Sequence, residues 1–293
     1  MIVHGGAGRV TGAADAAAYL DAVTEALARG VAELEYGARA AVIAAVTFME
    51  ECTLLNAGRG AVLAEDGSVR LDAGFMDGAT RRFGGVAGVR RTATPVRIAE
   101  SLAADGEFGR FLIGDAADEA ARLAGIAETA PEELVTERSR RRERERVEDS
   151  TAPRGDTVGA VALDANGHVV AAVSTGGLAG KRVGRVGDAS VVGAGFYADD
   201  ATGAAVTTGI GEALLRHGTA RRCLQFLADG CAIGVAARRA LEELGAGESS
   251  DFGIGGLIVV DRHGTFAIDH DTPEMTAGWA RPNEAAVVRA RWR

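Results

Sequence analysis

Apolar and polar positions change their period along this chain. The first residues read as a strand running into a glycine turn, His4-Gly5-Gly6-Ala7-Gly8. Over 13–27, and again over 34–49, alanine-rich sequence with apolar residues at helical spacing predicts two long helices. The loop Asn56-Ala57-Gly58-Arg59-Gly60 follows. Alternating segments around Val62 and Val69 then read as a hairpin turning at Asp66-Gly67. Residues 95–102 and 115–123 predict further helices, with a short strand at 111–113 before the second. In the second half, 158–163, 169–174 and 257–260 read as core strands, with 266–268 close behind. Asn166-Gly167 supplies the turn between the first two, and helices are expected at 211–216 and 232–244. This order fits an α+β fold of two antiparallel sheets covered by helices.

The two halves meet in a tract, 137–149, that is nearly all charged. It reads either as a helix held by neighbouring opposite charges or as a solvated linker with too little apolar surface to order itself. Its signs are mixed: Arg140, Arg141 and Arg142 are followed by Glu143 and Glu145.

Composition narrows the function classes. A chain of 293 residues buries a sizeable core as one large domain or two smaller ones, and 47% apolar residues is ordinary for a globular protein. The net charge of −9 argues against nucleic acid as a partner, since phosphate binding needs an accessible positive surface. Cys52, Cys223 and Cys231 follow no metal-binding spacing and are read as reduced, partly buried thiols. No basic leader precedes an apolar run, and no stretch is long and apolar enough to span a membrane, so the cytoplasm is the expected location.

The stretch Arg154-Gly155-Asp156-Thr157-Val158-Gly159 carries the most chemical information. A lone threonine before a strand is ordinarily just a β-former. Breaking the bond between Asp156 and Thr157, however, gives the threonine a free α-amine beside its hydroxyl, placing nucleophile and base on one residue. Such an amine has a reference pKa of roughly 7.7–8.0 and accepts a proton near neutral pH without a histidine. Asp156 is placed to help activate the bond. Ser174-Thr175-Gly176-Gly177 ends the second strand, so a hairpin brings Thr175 beside Thr157, as a plain strand end or as a group that orients the hydroxyl. Arg185 and Asp188 are either a surface ion pair of little worth or a grip, with Arg185 on the carboxylate and Asp188 on the ammonium of an amino acid. Thr208 and Gly209 either cap a helix or face the anion of a tetrahedral intermediate. The histidines are scattered, no metal ligand set is read, and His4 is assigned to locking its own loop.

Taken together these motifs resemble the plant-type asparaginase and isoaspartyl peptidase family of N-terminal-nucleophile hydrolases, kin of glycosylasparaginase. The matching segments are His4-Gly5-Gly6-Ala7-Gly8, Asn56-Ala57-Gly58-Arg59-Gly60, Met76-Asp77-Gly78 and Thr157-Val158-Gly159-Ala160-Val161-Ala162-Leu163-Asp164. Ser174-Thr175-Gly176-Gly177, Gly184-Arg185-Val186-Gly187-Asp188, Gly193-Ala194-Gly195, Thr208-Gly209 and Gly255-Gly256-Leu257-Ile258 complete them.

The resemblance implies an αββα four-layer sandwich forming one domain over 1–293. It implies autoproteolysis at Asp156–Thr157 into 1–156, with a charged linker at about 137–155, and 157–293, the processed pairs forming a homodimer. Thr157 is the implied nucleophile, Thr175 its assistant, Arg185 and Asp188 the holders of the substrate's α-carboxylate and α-amine. Thr208 and Gly209 form the implied oxyanion hole, and Gly211 lines the pocket. The implied reaction is hydrolysis of the side-chain amide of L-asparagine or the isopeptide bond of β-aspartyl peptides, with glycosylasparaginase as the alternative. No cofactor is required, although the region 50–59 resembles a loop that in some members holds a structural sodium ion through backbone carbonyls. Nucleic acid and membrane are not expected partners.

Four segments depart from the family pattern. Gly180-Lys181 stands where Asn-Lys is common, and Asp188-Ala189-Ser190 where Asp-Ser-Pro is usual. Asp156 replaces the glycine of many plant-type members and resembles the glycosylasparaginase arrangement. Asp271-Thr272-Pro273-Glu274-Met275 replaces Asn-Thr-Glu-Gly-Met. The first two bear on pocket shape and specificity, and the last on substrate preference.

Overall fold

A computed structural model of the protein describes residues 1–8, 13–105, 109–148, 156–245 and 255–292. The first half runs β1 (Ile2–Gly8), α1 (Ala13–Ala32), α2 (Ala38–Glu51), β2 (Leu71–Asp77), β3 (Phe83–Val89), α3 (Pro95–Ala104), β4 (Phe111–Ile113), α4 (Asp115–Leu123), α5 (Pro131–Leu134) and α6 (Glu137–Glu148). The second half runs β5 (Val158–Leu163), β6 (Val169–Thr175), β7 (Phe196–Asp199), β8 (Gly203–Gly209), α7 (Gly211–His217), α8 (Thr219–Ala228), α9 (Ile233–Gly245), β9 (Gly255–Asp261), β10 (Phe266–His270), β11 (Glu274–Trp279) and β12 (Val287–Arg289). The result is an α+β fold with an eight-stranded sheet, β12-β11-β1-β5-β6-β2-β3-β4, and a four-stranded sheet, β10-β9-β8-β7.

Side-chain alternation explains why β5 and β6 read as continuous apolar runs. Strand residues point alternately to opposite faces, so a strand buried on both faces has no polar side. Val158, Ala160, Ala162, Val170 and Ala172 face one apolar cluster with Val23 and Leu27 of α1 and Val46 and Met49 of α2. Val161, Val169, Ala171 and Val173 face a second cluster with Phe196, Val206 and Ile258 of the smaller sheet. The far side of that sheet, at Ala205, Leu257 and Val259, is covered by Leu224 and Phe226 of α8 and Leu241 and Leu244 of α9.

Several expectations need correcting. The larger sheet is not wholly antiparallel: β4 pairs parallel to β3 because α3 returns the chain in its original direction. The helix expected over 34–49 is a 3-10 turn, Leu34–Tyr36, followed by α2. The hairpin around Val62 and Val69 reduces to one bridge, Leu63 to Val69. The charged tract is helical as α6, while the stretch from 149 to 155, including Arg154 and Gly155, lies outside the described residues. Strands β2, β3 and β11 and helix α8 carry no clear local signal. Sequences such as FGGVAGV have weak β-propensity and become strands because their neighbours in the sheet bury them.

Phe196 is fully buried where the sheets meet. Replacing it with Ala should lower the unfolding free energy by about 3–5 kcal/mol, through lost transfer energy plus a residual cavity. Urea unfolding of Phe196→Ala in a Thr157→Ala background, which fixes the number of chains, checks this.

Candidate active site

The β5–β6 hairpin builds the floor of the site. Its register pairs Val158 with Ser174, so Thr157 and Thr175 lie opposite each other just beyond. The Thr157 hydroxyl donates to Thr175 Oγ1 at 3.2 Å. Thr175 Oγ1 in turn donates to the Asp156 carbonyl oxygen at 3.0 Å and accepts from the Gly177 N–H at 2.9 Å. A second donor reaches the same carbonyl: Asn56 Nδ2 lies 2.6 Å from Asp156 O and 2.8 Å from Gly177 O. Asn56 is itself fully buried and fixed, since its Oδ1 accepts from Val62 N at 2.9 Å and its backbone oxygen from Gly176 N at 2.8 Å.

Strand β1 supplies the wall behind the bond. The Asp156 side chain packs on Gly6, where a Cβ would come within 2.8 Å of Asp156 Oδ1. Gly6 also has φ of 123°, a conformation that side chains disfavour, so glycine is required there on both counts. Burial pushes the Asp156 carboxyl up to about 6, while Arg142 and Arg138 pull it down. His4 is buried beside Gly159, and burial drives it down to about 3, against a smaller opposing pull from the Thr157 backbone. Neither ring nitrogen makes a hydrogen bond of good geometry, so the imidazole is neutral and acts as packing.

The opposite rim comes from the turn at 185–190 and the end of β8. Asp188 is buried at the start of a 3-10 turn, Asp188–Ser190, and burial raises its carboxyl to about 7 despite its own N–H and Arg185. Arg185 makes a bidentate pair with Glu212, Nε to Oε1 at 2.7 Å and Nη2 to Oε2 at 2.8 Å. The loop carrying both is pinned by Asp72, whose carboxylate accepts from Gly88 N at 2.9 Å and Gly187 N at 3.2 Å. Lys181, which follows the departure at Gly180, is buried and donates to Arg70 O at 2.7 Å, and burial lowers its pKa. At Gly211 a Cβ would lie 2.9 Å from Asp188 Oδ1 and 3.1 Å from Arg185 Nη2, so only a residue without a side chain leaves the rim open.

Asp156, Thr157, Thr175, Gly177, Leu178, Arg185, Gly187, Asp188, Gly209 and Gly211 line one cavity. Of the residues singled out in the sequence, only Thr208 does not line it. Its hydroxyl is fully buried next to Gly209 and has no hydrogen-bond partner, an unusual state for a buried donor. The cavity's free volume is about 10 Å³, room for roughly one water molecule, and Asp156 is part of its wall. A larger surface cleft of about 560 Å³ lies over α4. Its charges pair with one another, Arg90 with Asp115, Arg91 with Glu128 and Arg122 with Glu119, and it holds no nucleophile.

Among the described residues no group of three or more His, Cys, Asp or Glu is arranged to hold a metal, and no helix is long and apolar enough to cross a membrane. The three cysteines are free, and burial pushes the Cys223 thiol up to about 12. Sequence reasoning missed Asn56, Asp72 and Glu212 as parts of this site. Asn56 stood in a noted motif, but nothing local ties it to a carbonyl 100 residues away.

The family profile for asparaginase matches residues 1–289. The isoaspartyl peptidase/L-asparaginase of Xenopus laevis is 38% identical over 287 residues, covering 96% of this chain and 91% of the frog protein. A plant-type L-asparaginase of Pyrobaculum calidifontis is 38% identical over 97% of both chains. The human isoaspartyl peptidase/L-asparaginase is 38% identical over 84% of this chain and 80% of its own. The chain therefore belongs to the asparaginase family.

Proposed function

We propose that this protein is a self-processing amidohydrolase that cleaves the side-chain amide of L-asparagine and the isopeptide bond of β-aspartyl peptides through an N-terminal threonine. The observation that carries the reading is the geometry at the Asp156 carbonyl. Two donors, Asn56 Nδ2 and Thr175 Oγ1, hold its oxygen, and the Thr157 hydroxyl belongs to the same hydrogen-bonded chain. Charge developing on that oxygen during attack meets donors already in place, and one such donor is worth on the order of 3 kcal/mol in comparable hydrolases.

Maturation then follows. Thr157 Oγ attacks the Asp156 carbonyl carbon, the C–N bond breaks, and water hydrolyses the resulting ester. The chain becomes 1–156 and 157–293, and Thr157 gains an α-amine. Departure of Asp156 is also what makes room for substrate, since about 10 Å³ admits no amino acid. In turnover the amine takes the Thr157 Oγ proton as Oγ attacks the substrate's side-chain carbonyl. Ammonia or a peptide amine leaves, and water releases aspartate. The Thr208 hydroxyl, free of other partners, and the Gly209 N–H stabilise the oxyanion. Arg185 takes the α-carboxylate, exchanging it for the half-exposed Glu212, and Asp188 takes the α-ammonium.

The architecture fits this reading as an αββα sandwich of the N-terminal-nucleophile type, and the processed pairs are proposed to form a homodimer. The carbonyls of Glu50, Cys52, Leu55 and Ala93 crowd Gly58 and Gly60, an oxygen-only set that suits a structural sodium ion stiffening the turn that carries Asn56. Free thiols fit a reducing compartment such as the cytoplasm. Glycosylasparaginase activity is disfavoured by the names of the relatives, and relative rates on asparagine, β-aspartyl dipeptides and glycosylated asparagine test it.

Purified wild-type protein should run as two fragments on a denaturing gel, the smaller beginning at Thr157. Thr157→Ala should remain one band and lose asparagine hydrolysis entirely. A cut or active Thr157→Ala protein would end the scheme. Gly211→Ala should process normally yet raise KM for asparagine by about tenfold or more, as expected for roughly 1.4 kcal/mol of lost binding. Steady-state kinetics on the processed variant decide this, and an unchanged KM removes the rim from substrate recognition.

A further inference from the structure

Lys181 is a buried ammonium in a segment that does not need it as a fastener. The backbone already ties that segment to the turn before β2. Gly180 N donates to Leu63 O at 2.8 Å, Glu65 N to Lys181 O at 2.9 Å, and Val183 N to Glu65 Oε1 at 3.0 Å. The side chain adds Nζ to Arg70 O at 2.7 Å, one acceptor for three N–H groups. Among the described residues Lys181 makes no ion pair, and the Asp72 carboxylate, whose charge favours it, already accepts from Gly88 N and Gly187 N. Holding a cation in such surroundings costs free energy that an apolar side chain would not incur.

The place of the ammonium gives it a use. Gly177 lines the cavity, and a Cβ there would lie 2.8 Å from Lys181 Nζ and 3.4 Å from Arg185 Nη1. A Cβ on Gly187, also in the cavity wall, would again lie 3.4 Å from Arg185 Nη1. Glu212 holds Nε and Nη2 of that guanidinium, so Nη1 is the corner left against the two glycines. Two cations therefore converge behind one patch of bare backbone. A wall of this kind attracts an anion and repels a cation.

We propose that Lys181 is the second cation of the subsite for the substrate's α-carboxylate, a positioning residue whose charge acts past the bare backbone of Gly177 alongside Arg185. The inference rests on the amidohydrolase reading. Both cations stand at one wall, and the Asp188 carboxyl lines the same cavity. A zwitterionic substrate then has one favourable orientation, with its α-carboxylate toward Gly177 and its α-ammonium toward Asp188. That orientation fixes where the side-chain amide lies relative to Thr157. Lys181 thereby favours amides that carry a free α-carboxylate, as asparagine and β-aspartyl peptides do, over the same amide without one.

Steady-state kinetics on Lys181→Met, after a denaturing gel and a melting curve have shown it processed and folded, test this. Its KM for asparagine should rise about tenfold while kcat stays within about twofold. The competitive inhibition constant of 3-aminopropanamide, which keeps the amine and the amide but lacks the α-carboxylate, should stay within about twofold. Lys181→Gln retains a donor for Arg70 O and should behave like Lys181→Met, because the charge matters and not the hydrogen bond. Arg182→Gln removes an exposed cation from the same loop and should leave both constants unchanged. An unchanged KM, equal weakening of both compounds, recovery in Lys181→Gln or a matching rise in Arg182→Gln overturns the assignment of Lys181 and leaves the amidohydrolase reading standing. Failure of both Lys181 variants to fold and process overturns it too, since the ammonium is then structural. A processed wild-type protein without activity on asparagine or β-aspartyl dipeptides overturns the amidohydrolase reading itself.

Discussion

Pairing Val158 with Ser174 puts Thr157 opposite Thr175, and the other contacts of the site follow from that register. A slip by one residue would exchange the two faces of the strand, moving Val158 and Ala160 from the helix side to the inter-sheet side. Both faces are dry, so the wrong register would misplace every side chain at once. The turn adds a second lock. Asp164 Oδ1 accepts from Asn166 N at 2.9 Å and His168 N at 3.1 Å, and its Oδ2 accepts from Ala38 N at 3.1 Å. One carboxylate thus closes the hairpin and ties it to the start of α2. The position of a hydroxyl at one end of the hairpin is set by packing along its length and by a turn at the other end.

How much of this could be read from the sequence depended on whether the determining contact was local. The β5–β6 hairpin was legible because Asn166-Gly167 and the apolar runs on both sides specify it within 18 residues. Arg185, Asp188, Gly209 and Gly211 were legible as motif positions, and they converge on one cavity. Asn56 was legible only as a loop residue, because its two acceptors, Asp156 O and Gly177 O, come from distant parts of the chain. Strands β2 and β3 escaped for a related reason. Their glycines and alanines leave room for Phe196, Ala189 and Ser190 to approach, and that requirement exists only in the assembled fold. The charged tract stayed ambiguous because its inner face rests on Tyr19 and Gly180, neither of which its composition announces.

Burial of carboxyl groups links stability to chemistry here. Asp156 is raised to about 6 and Asp188 to about 7, and Glu50, behind the hairpin, lies well above the ordinary carboxylate range, in each case chiefly through desolvation. Three acids held in unfavourable surroundings around one hairpin are hard to explain by stability alone, since apolar replacements would pack with less penalty. Their differences follow from their partners. Glu50 accepts from Val96 N at 3.0 Å, and its burial outweighs the opposing pull of Ser174, Val96 N and Arg97, so it is a neutral structural acceptor. Asp156 and Asp188 each face arginines that work against desolvation, which brings both near the pH at which a carboxyl exchanges its proton readily. Groups poised in this way suit proton transfer and recognition of an ammonium, and both adjoin Thr157 while Glu50 does not. Among the described residues, the two buried acids raised to about 6 and about 7 both line the cavity.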